Sequence, residues 1–259
     1  MIWGILYPII FYYLISAMAF FGMTIAFGES SEIYMLKQMV SSGATIPFLF
    51  SIMKQDAYTY EVFFGKNKRL SIEQAGLLAG LIFVAMSAMG IALNNFIAMT
   101  PLVELSSGFK NANEQLFGGG MALELLASCI VVPIAEETLF RGVILRRCSN
   151  IVGDKAGVVF SALLFGVIHV NVVQFVYAAI LGVILAILMQ KTRRIWVPIL
   201  GHAAANFMAI LRVETGMLAF SYEADVAGVG FSVFMAVLGM VMLWFFLKLC
   251  DSYKNMENN

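Results

Sequence analysis

Glu136, Glu137 and Arg141 interrupt an otherwise apolar stretch, Pro133-Ile-Ala-Glu136-Glu137-Thr-Leu-Phe-Arg141-Gly. Ionisable side chains in such a segment cost about 2.5–3.5 kcal/mol each on insertion into lipid, so they mark a function or a buried pairing. Neighbours on a helix point about 100° apart, so Glu136 and Glu137 serve different faces. Glu137 and Arg141 are i,i+4 neighbours and can pair. Glu136 is left without a local cation, and an unpaired carboxylate in a water-poor site is suited to taking a proton from water as a general base. On their own, the two glutamates would fit a solvated helix end equally well.

The chain has 2 histidines, and both fall in hydrophobic segments: His169 in Phe165-Gly-Val-Ile-His169-Val-Asn171 and His202 in Gly201-His202-Ala-Ala-Ala-Asn206. His202 and Asn206 share a helix face, so an imidazole and a carboxamide address one point. At ~1.5 Å per residue, Glu136 lies about 15 Å from Arg146 and His202 about 12 Å from Arg194, which puts both at one depth. A turn near residues 151–154 would fold an antiparallel hairpin that returns His169 to nearly the same level.

Together these residues resemble the three signatures of the CPBP family of intramembrane glutamic endopeptidases, also called the Abi family. That family includes the type II CAAX prenyl proteases and bacteriocin-processing or self-immunity proteins. Glu136, Glu137 and Arg141 match E-E-x-x-x-R, Phe165 and His169 match F-x-x-x-H, and His202 and Asn206 match H-x-x-x-N. The stretch Arg193-Arg-Ile-Trp-Val-Pro198-Ile before the third signature also resembles the family. The resemblance covers residues 119–213, the expected catalytic core. It implies that Glu136 activates a water with help from His169, and that His202 and Asn206 stabilise the oxyanion. Glu137 and Arg141, with Phe165, would support the site. No cofactor or metal is implied, and the partner is a peptide or protein substrate at the membrane, such as a CAAX-type or a bacteriocin or signal-peptide precursor.

The elements that must hold these residues are membrane helices. The chain has 259 residues, 61% hydrophobic and 12% charged, with mean hydropathy +0.88. Too little charge is available to coat a soluble domain of this size, and about 20 apolar residues suffice for one crossing. The reading is an all-α polytopic membrane protein, a single integral membrane domain over residues 1–259. Hydrophobic segments at 2–27, 33–53, 75–99, 119–140, 156–170, 173–190, 195–213 and 228–249 predict about eight transmembrane helices. The first has no Lys or Arg before Lys37 and reads as a retained anchor rather than a cleaved signal peptide. Residues 54–73 read as a cytoplasmic loop and 251–259 as a solvated tail. Residues 101–120 read as a loop, with a partly amphipathic surface helix as the alternative.

Sixteen Lys and Arg balance 16 Asp and Glu, and nothing favours nucleic acid as a partner. Their placement sets topology. With eight crossings, Lys54, Lys66, Lys68, Arg69, Arg146, Arg147, Lys155, Lys191, Arg193, Arg194, Lys248 and Lys254 share one side, against Lys110 and Arg212, with Lys37 near them. Basic residues accumulate on the cytoplasmic side, so both termini are expected there, and the active site in the cytoplasmic half of a multi-pass cell-membrane protein. Cys129, Cys148 and Cys250 are widely spaced, which argues against a disulfide framework or a cysteine zinc cluster.

Three other functions compete. A zinc-dependent membrane protease could use one glutamate and two histidines, but the H-E-x-x-H helix is absent from the sequence. A non-catalytic membrane immunity or scaffold protein could keep the same fold, although it would gain little from the complete polar set. A transporter would be expected to carry matching broken helices in two halves, and none is visible.

Overall fold

The computed structural model describes residues 2–64 and 70–256, with the side chains of 58–64 and 254–256 left aside. Lys66, Lys68, Arg69 and the side chain of Lys254, all part of the topology reading, lie outside the described residues. The main helices are α1 Ile2–Phe27, α2 Ser31–Phe64, α3 Ile72–Ala98, α4 Ser107–Leu116, α5 Met121–Val152, α6 Asp154–Val167, α7 Val172–Thr192, α8 Trp196–Thr215 and α9 Val226–Met256. Among the described residues there is no strand. The protein is a helical polytopic membrane protein.

Among the described residues, five helices are long and apolar enough to cross a bilayer: α1, α3, α7, α8 and, over Val226–Tyr253, α9. The count becomes 6 if α4 and α5, bent by 105° at their junction, form one broken span. About eight were expected. The segment at 156–170 is centred on α6, whose 14 residues reach only about 21 Å at ~1.5 Å per residue, short of the ~30 Å hydrocarbon core. The segment at 33–53 lies in α2, which also carries Glu32, Lys37, Lys54 and Asp56 and falls below the apolar threshold for a span.

Two stretches read as loops are helical. α2 continues to Phe64, and residues 107–116 form α4, preceded by the single turn Leu102–Leu105. The side-chain oxygen of Ser106 accepts from Phe109 N–H at 3.3 Å and caps α4. The start of the 251–259 tail is also helical, since α9 continues to Met256.

Local chemistry sets the helix ends. Ser71 and Gln74 form a reciprocal capping box at the start of α3, with bonds of 3.1 and 3.0 Å. Asn171 caps α7 by accepting from Gln174 N–H at 2.9 Å. Lys37, only 3% exposed, donates to Gly28 O at 2.9 Å and Thr24 Oγ1 at 3.3 Å, satisfying oxygens at the end of α1. The hairpin turn expected near 151–154 falls at Gly153, whose φ of 83° is cheap only for glycine.

α3 lies among α7, α8 and α9, where Leu78, Ile82 and Met86 pack with Leu181, Leu185, Val197, Ala205 and Phe246. Glycine permits a close approach of α3 to α8, because a Cβ at Gly90 would lie 3.1 Å from Ala205 Cβ. A second cluster joins Tyr12 of α1 and Leu49 of α2 to Ala135, Leu139 and Phe140 of α5 and Phe165 of α6.

Arg147 ties α1, α2 and α5 together at one end. It forms a bidentate pair with Asp56, at 2.8 and 3.0 Å, donates to Tyr7 Oη at 2.9 Å, and also bonds the carbonyl of Gly4. Hydrogen bonds to charged groups contribute about 1.5–3 kcal/mol each when well formed. Arg147→Ala is therefore expected to lower the midpoint of thermal unfolding in detergent by several degrees. Lys248→Ala, on the exposed face of α9, should leave it unchanged.

Candidate active site

Two widened turns shape α5. Residues Ala127–Val131 and Thr138–Ile144 are π-helical, so N–H groups reach back five residues instead of four. In the first turn Val132 N–H bonds Ala127 O, and Pro133 follows, with no N–H to offer Ser128 O in the same register. Asn206 of α8 takes that carbonyl, its Nδ2 donating at 2.8 Å. In the second turn, Leu145 N–H bonds Phe140 O, and Ser161 of α6 donates to the same oxygen at 3.1 Å. The two π turns thereby bind α8 and α6 to α5 through backbone oxygens.

Between them lie the two glutamates. Glu137 is fully buried, and its Oε1 accepts from Arg141 Nη1 at 2.9 Å and from His202 Nδ1 at 2.9 Å. An ionised carboxylate only accepts, so Nδ1 of His202 carries the proton in this arrangement. The ring is thereby oriented with Nε2 toward Glu136, whose Oε2 lies 3.9 Å away. That gap is too long for a direct hydrogen bond and suits one bridging water. The Glu136 side chain is 12% exposed, whereas those of Glu137 and Arg141 are 0% exposed, so Glu136 is the carboxylate a substrate can reach.

Arg141 is held on three sides. Its Nη2 donates to Gly182 O at 3.2 Å, and its guanidinium lies 4.3 Å from the Phe165 ring centroid. A Cβ at Gly182 would come within 3.1 Å of Nη2, so glycine is needed for α7 to bring its carbonyl this close. Phe165 also meets His169 edge-on at 5.1 Å, His202 at 5.7 Å and Phe140 at 5.2 Å between ring centroids. One phenyl ring thus touches both histidines and the arginine.

His169 lies just beyond the end of α6, in the turn before α7, and not within a crossing. Its Nδ1 is 2.9 Å from Phe165 O, an acceptor, so Nδ1 is the donor and Nε2 carries the lone pair. The structure therefore gathers Glu136, Glu137, Arg141, Phe165, His169 and His202 around one centre, with Asn206 one turn along α8. His202, not His169, is the ring placed against Glu136.

Sequence reasoning missed Tyr12, Ser128, Ser161 and Gly182. Tyr12 packs against the glutamate-bearing turn of α5, but in an apolar first helix nothing distinguishes it. Ser128 had a readable signal in Pro133 five residues later, where a π register leaves its carbonyl without a partner. Among the described residues, no group of three His, Cys, Asp or Glu side chains is arranged to hold a metal ion.

Residues 118–208 match the family described as type II CAAX prenyl endopeptidase, Rce1-like. Over 93 residues the chain is 32% identical to the Bacillus subtilis (strain 168) protein named "Putative membrane peptidase YdiL". That stretch is 36% of this chain, and the chain spans only 38% of the relative's length. No solved structure matches the chain. The matched region includes Glu136, Glu137, Arg141, Phe165, His169, His202 and Asn206. Over residues 118–208 the chain is thus similar to the Rce1-like family, in line with the CPBP resemblance carried by its three polar signatures.

Proposed function

We propose that the protein is an intramembrane endopeptidase that hydrolyses a peptide bond with a water activated by Glu136. The observation that carries this reading is the division between the two glutamates. Glu137 is locked between Arg141 and His202, while Glu136 keeps a reachable carboxylate 3.9 Å from His202 Nε2. With Nδ1 protonated, a neutral His202 offers a lone pair at Nε2. A water lying between it and Glu136 Oε2 donates one hydrogen to each.

On attack, Glu136 removes one proton from this water as the new C–O bond forms at the scissile carbonyl. As the C–N bond breaks, the same carboxyl returns the proton to the leaving amine, which balances the hydrolysis. Asn206 has a second amide hydrogen besides the one bonded to Ser128 O, and we assign it to the developing oxyanion. Preset donors of this kind act strongly where water is scarce. His202 moves in this reading from the oxyanion to the water, because its ring stands beside Glu136. The assignment of His169 as a second group on the water rests on the family resemblance. Glu137, Arg141 and Phe165 hold the geometry.

The substrate class is a peptide or protein segment at the membrane, cut in the cytoplasmic half of a cell-membrane protein with both termini inside. A CAAX-type protein and a bacteriocin or signal-peptide precursor both meet that description. The family match over residues 118–208 supports a CAAX-type protease.

Four substitutions and a chelation assay test the reading, using purified protein in vesicles and candidate peptides. Glu136→Gln should lower cleavage by about 10²–10⁴-fold, the usual contribution of a general base, with unfolding unchanged. Full cleavage by this variant would remove Glu136 as the general base, whereas no cleavage by the wild type would favour the immunity or scaffold reading. Asn206→Ala should cost about 10²–10³-fold, as loss of one oxyanion donor does. Glu137→Gln and Glu137→Ala should instead reduce the yield of folded protein, because breaking a buried pair costs about 3–5 kcal/mol. Cleavage should also persist after stringent chelation, and activity restored only by added zinc would overturn the glutamate mechanism.

A further inference from the structure

α1 is fixed to the bundle near its two ends. Arg147 holds Gly4 O and Tyr7 Oη, and Lys37 holds Gly28 O and Thr24 Oγ1. Of the residues of α1, only Pro8 and Tyr12 are buried. Beyond Tyr12 a cavity of about 390 Å³ opens between α1 and α2, lined from Tyr13 to Thr24 on one side and by Gln38 on the other, with Glu29 past Thr24.

The lining is polar where a helix facing lipid has no need to be. Ser16 and Thr24 are the only serine and threonine of α1, and both line the cavity. Gln38 of α2 uses one amide hydrogen on Tyr34 Oη at 3.0 Å, which leaves a second donor and a carbonyl oxygen. The cavity also leads to the candidate active site. Tyr13, at the end away from Glu29, meets the Tyr12 ring edge-on with centroids 5.4 Å apart. Tyr12 belongs to one buried cluster with Ala135 and Leu139, which flank Glu136 on α5, and α1 touches the π turn Thr138–Ile144.

We infer that this cavity is the docking groove of the peptide substrate, and that it takes the chain on one side of the scissile bond in extended form. The inference rests on the peptidase reading above. A peptide bond can be presented to Glu136 only from an unwound segment, because in a helix each carbonyl is engaged by its own next turn. Unwinding within lipid strips backbone N–H and C=O groups of their partners, and the bilayer core supplies none. Ser16, Thr24 and Gln38 offer hydroxyl and amide partners to such a chain. An acyl tail would gain nothing from them, which separates a peptide from a phospholipid as the occupant. From Tyr13 to Thr24 the groove runs about 16 Å at ~1.5 Å per residue of helix, the length of about five extended residues at ~3.3 Å each. Because its partners address main-chain groups, the groove selects an unwound stretch rather than particular side chains.

The test uses the full chain in vesicles, and the probe is a biotin-tagged peptide of about 20 leucine and alanine residues interrupted by a central glycine-proline pair. A photo-reactive side chain is introduced as Phe21→benzoylphenylalanine, inside the cavity, or as Met18→benzoylphenylalanine, on an exposed face of α1 that does not line it. Labelling is read in Glu136→Gln protein, so the result is separate from the peptidase reading, which stands or falls on cleavage by the wild type. Saturable labelling of the peptide is expected from Phe21→benzoylphenylalanine and little from Met18→benzoylphenylalanine. Ala17 is exposed, so Ala17→Trp should fill the groove without disturbing the fold. It should raise the half-saturating peptide concentration about tenfold and, in protein that cleaves, raise KM alike with kcat unchanged, as loss of uniform binding does. Gln38→Leu should weaken labelling several-fold, whereas Met18→Trp should leave it unchanged. Equal labelling from the two photo-reactive positions, labelling of phospholipid alone, or an unchanged half-saturating concentration in Ala17→Trp or Gln38→Leu would overturn the inference.

Discussion

The candidate site depends on one buried carboxylate oxygen, Glu137 Oε1, which accepts from both Arg141 and His202 at 2.9 Å. Arg141 joins it to α7 through Gly182 O, and His202 joins it to α8. The three charged or polar groups are each costly in an apolar interior, and they are tolerable only together. The position of Glu136 follows from this arrangement. As the next residue back on α5 it points about 100° away, toward the opposite edge of the oriented imidazole.

The adjacent glutamates therefore divide two demands that one residue could not meet. A carboxylate oxygen that accepts from both an arginine and a histidine is closed off within the bundle. A carboxylate that must accept a proton needs access, which removes it from the packed core. In the proposed mechanism, the sequence Glu-Glu places both functions on successive faces of one helix. The π turns on either side serve the same end, since they expose backbone oxygens by which Asn206 and Ser161 fix α8 and α6 in register with the glutamates.

Much of this was legible where a polar residue stood out against an apolar background. The Glu137–Arg141 pair followed from i,i+4 spacing, and the meeting of Glu136 with His202 from equal depth along two helices. What spacing could not supply was rotation. Both histidines were at the right level, but only contacts across the bundle reveal that His202 faces Glu136 and that Phe165 stands between the rings. The eight hydrophobic segments exceed the five or six helices long and apolar enough to cross for a related reason. Apolar composition alone does not separate a helix of 14 residues, such as α6, from one long enough to cross a bilayer. The helical continuation of α2 escaped notice because its polar residues looked like a loop. Asp56, one of them, is polar because Arg147 needs it.

Arg141 and Arg212 illustrate how differently one residue type behaves in the same fold. Both are at most 2% exposed, and each packs its guanidinium over an aromatic ring, Phe165 or Tyr222. Arg141 has a carboxylate one helical turn away, so its charge is neutralised within its own helix and its environment can be largely apolar. Arg212 has Asn95, Ser221 and two tyrosines around it, dipoles that orient toward a cation without cancelling its charge. Arg141 steadies the Glu137 carboxylate that orients the His202 ring. Arg212 ties the far end of α8 to α3 and the 3-10 turn and, through Asn95, to α9.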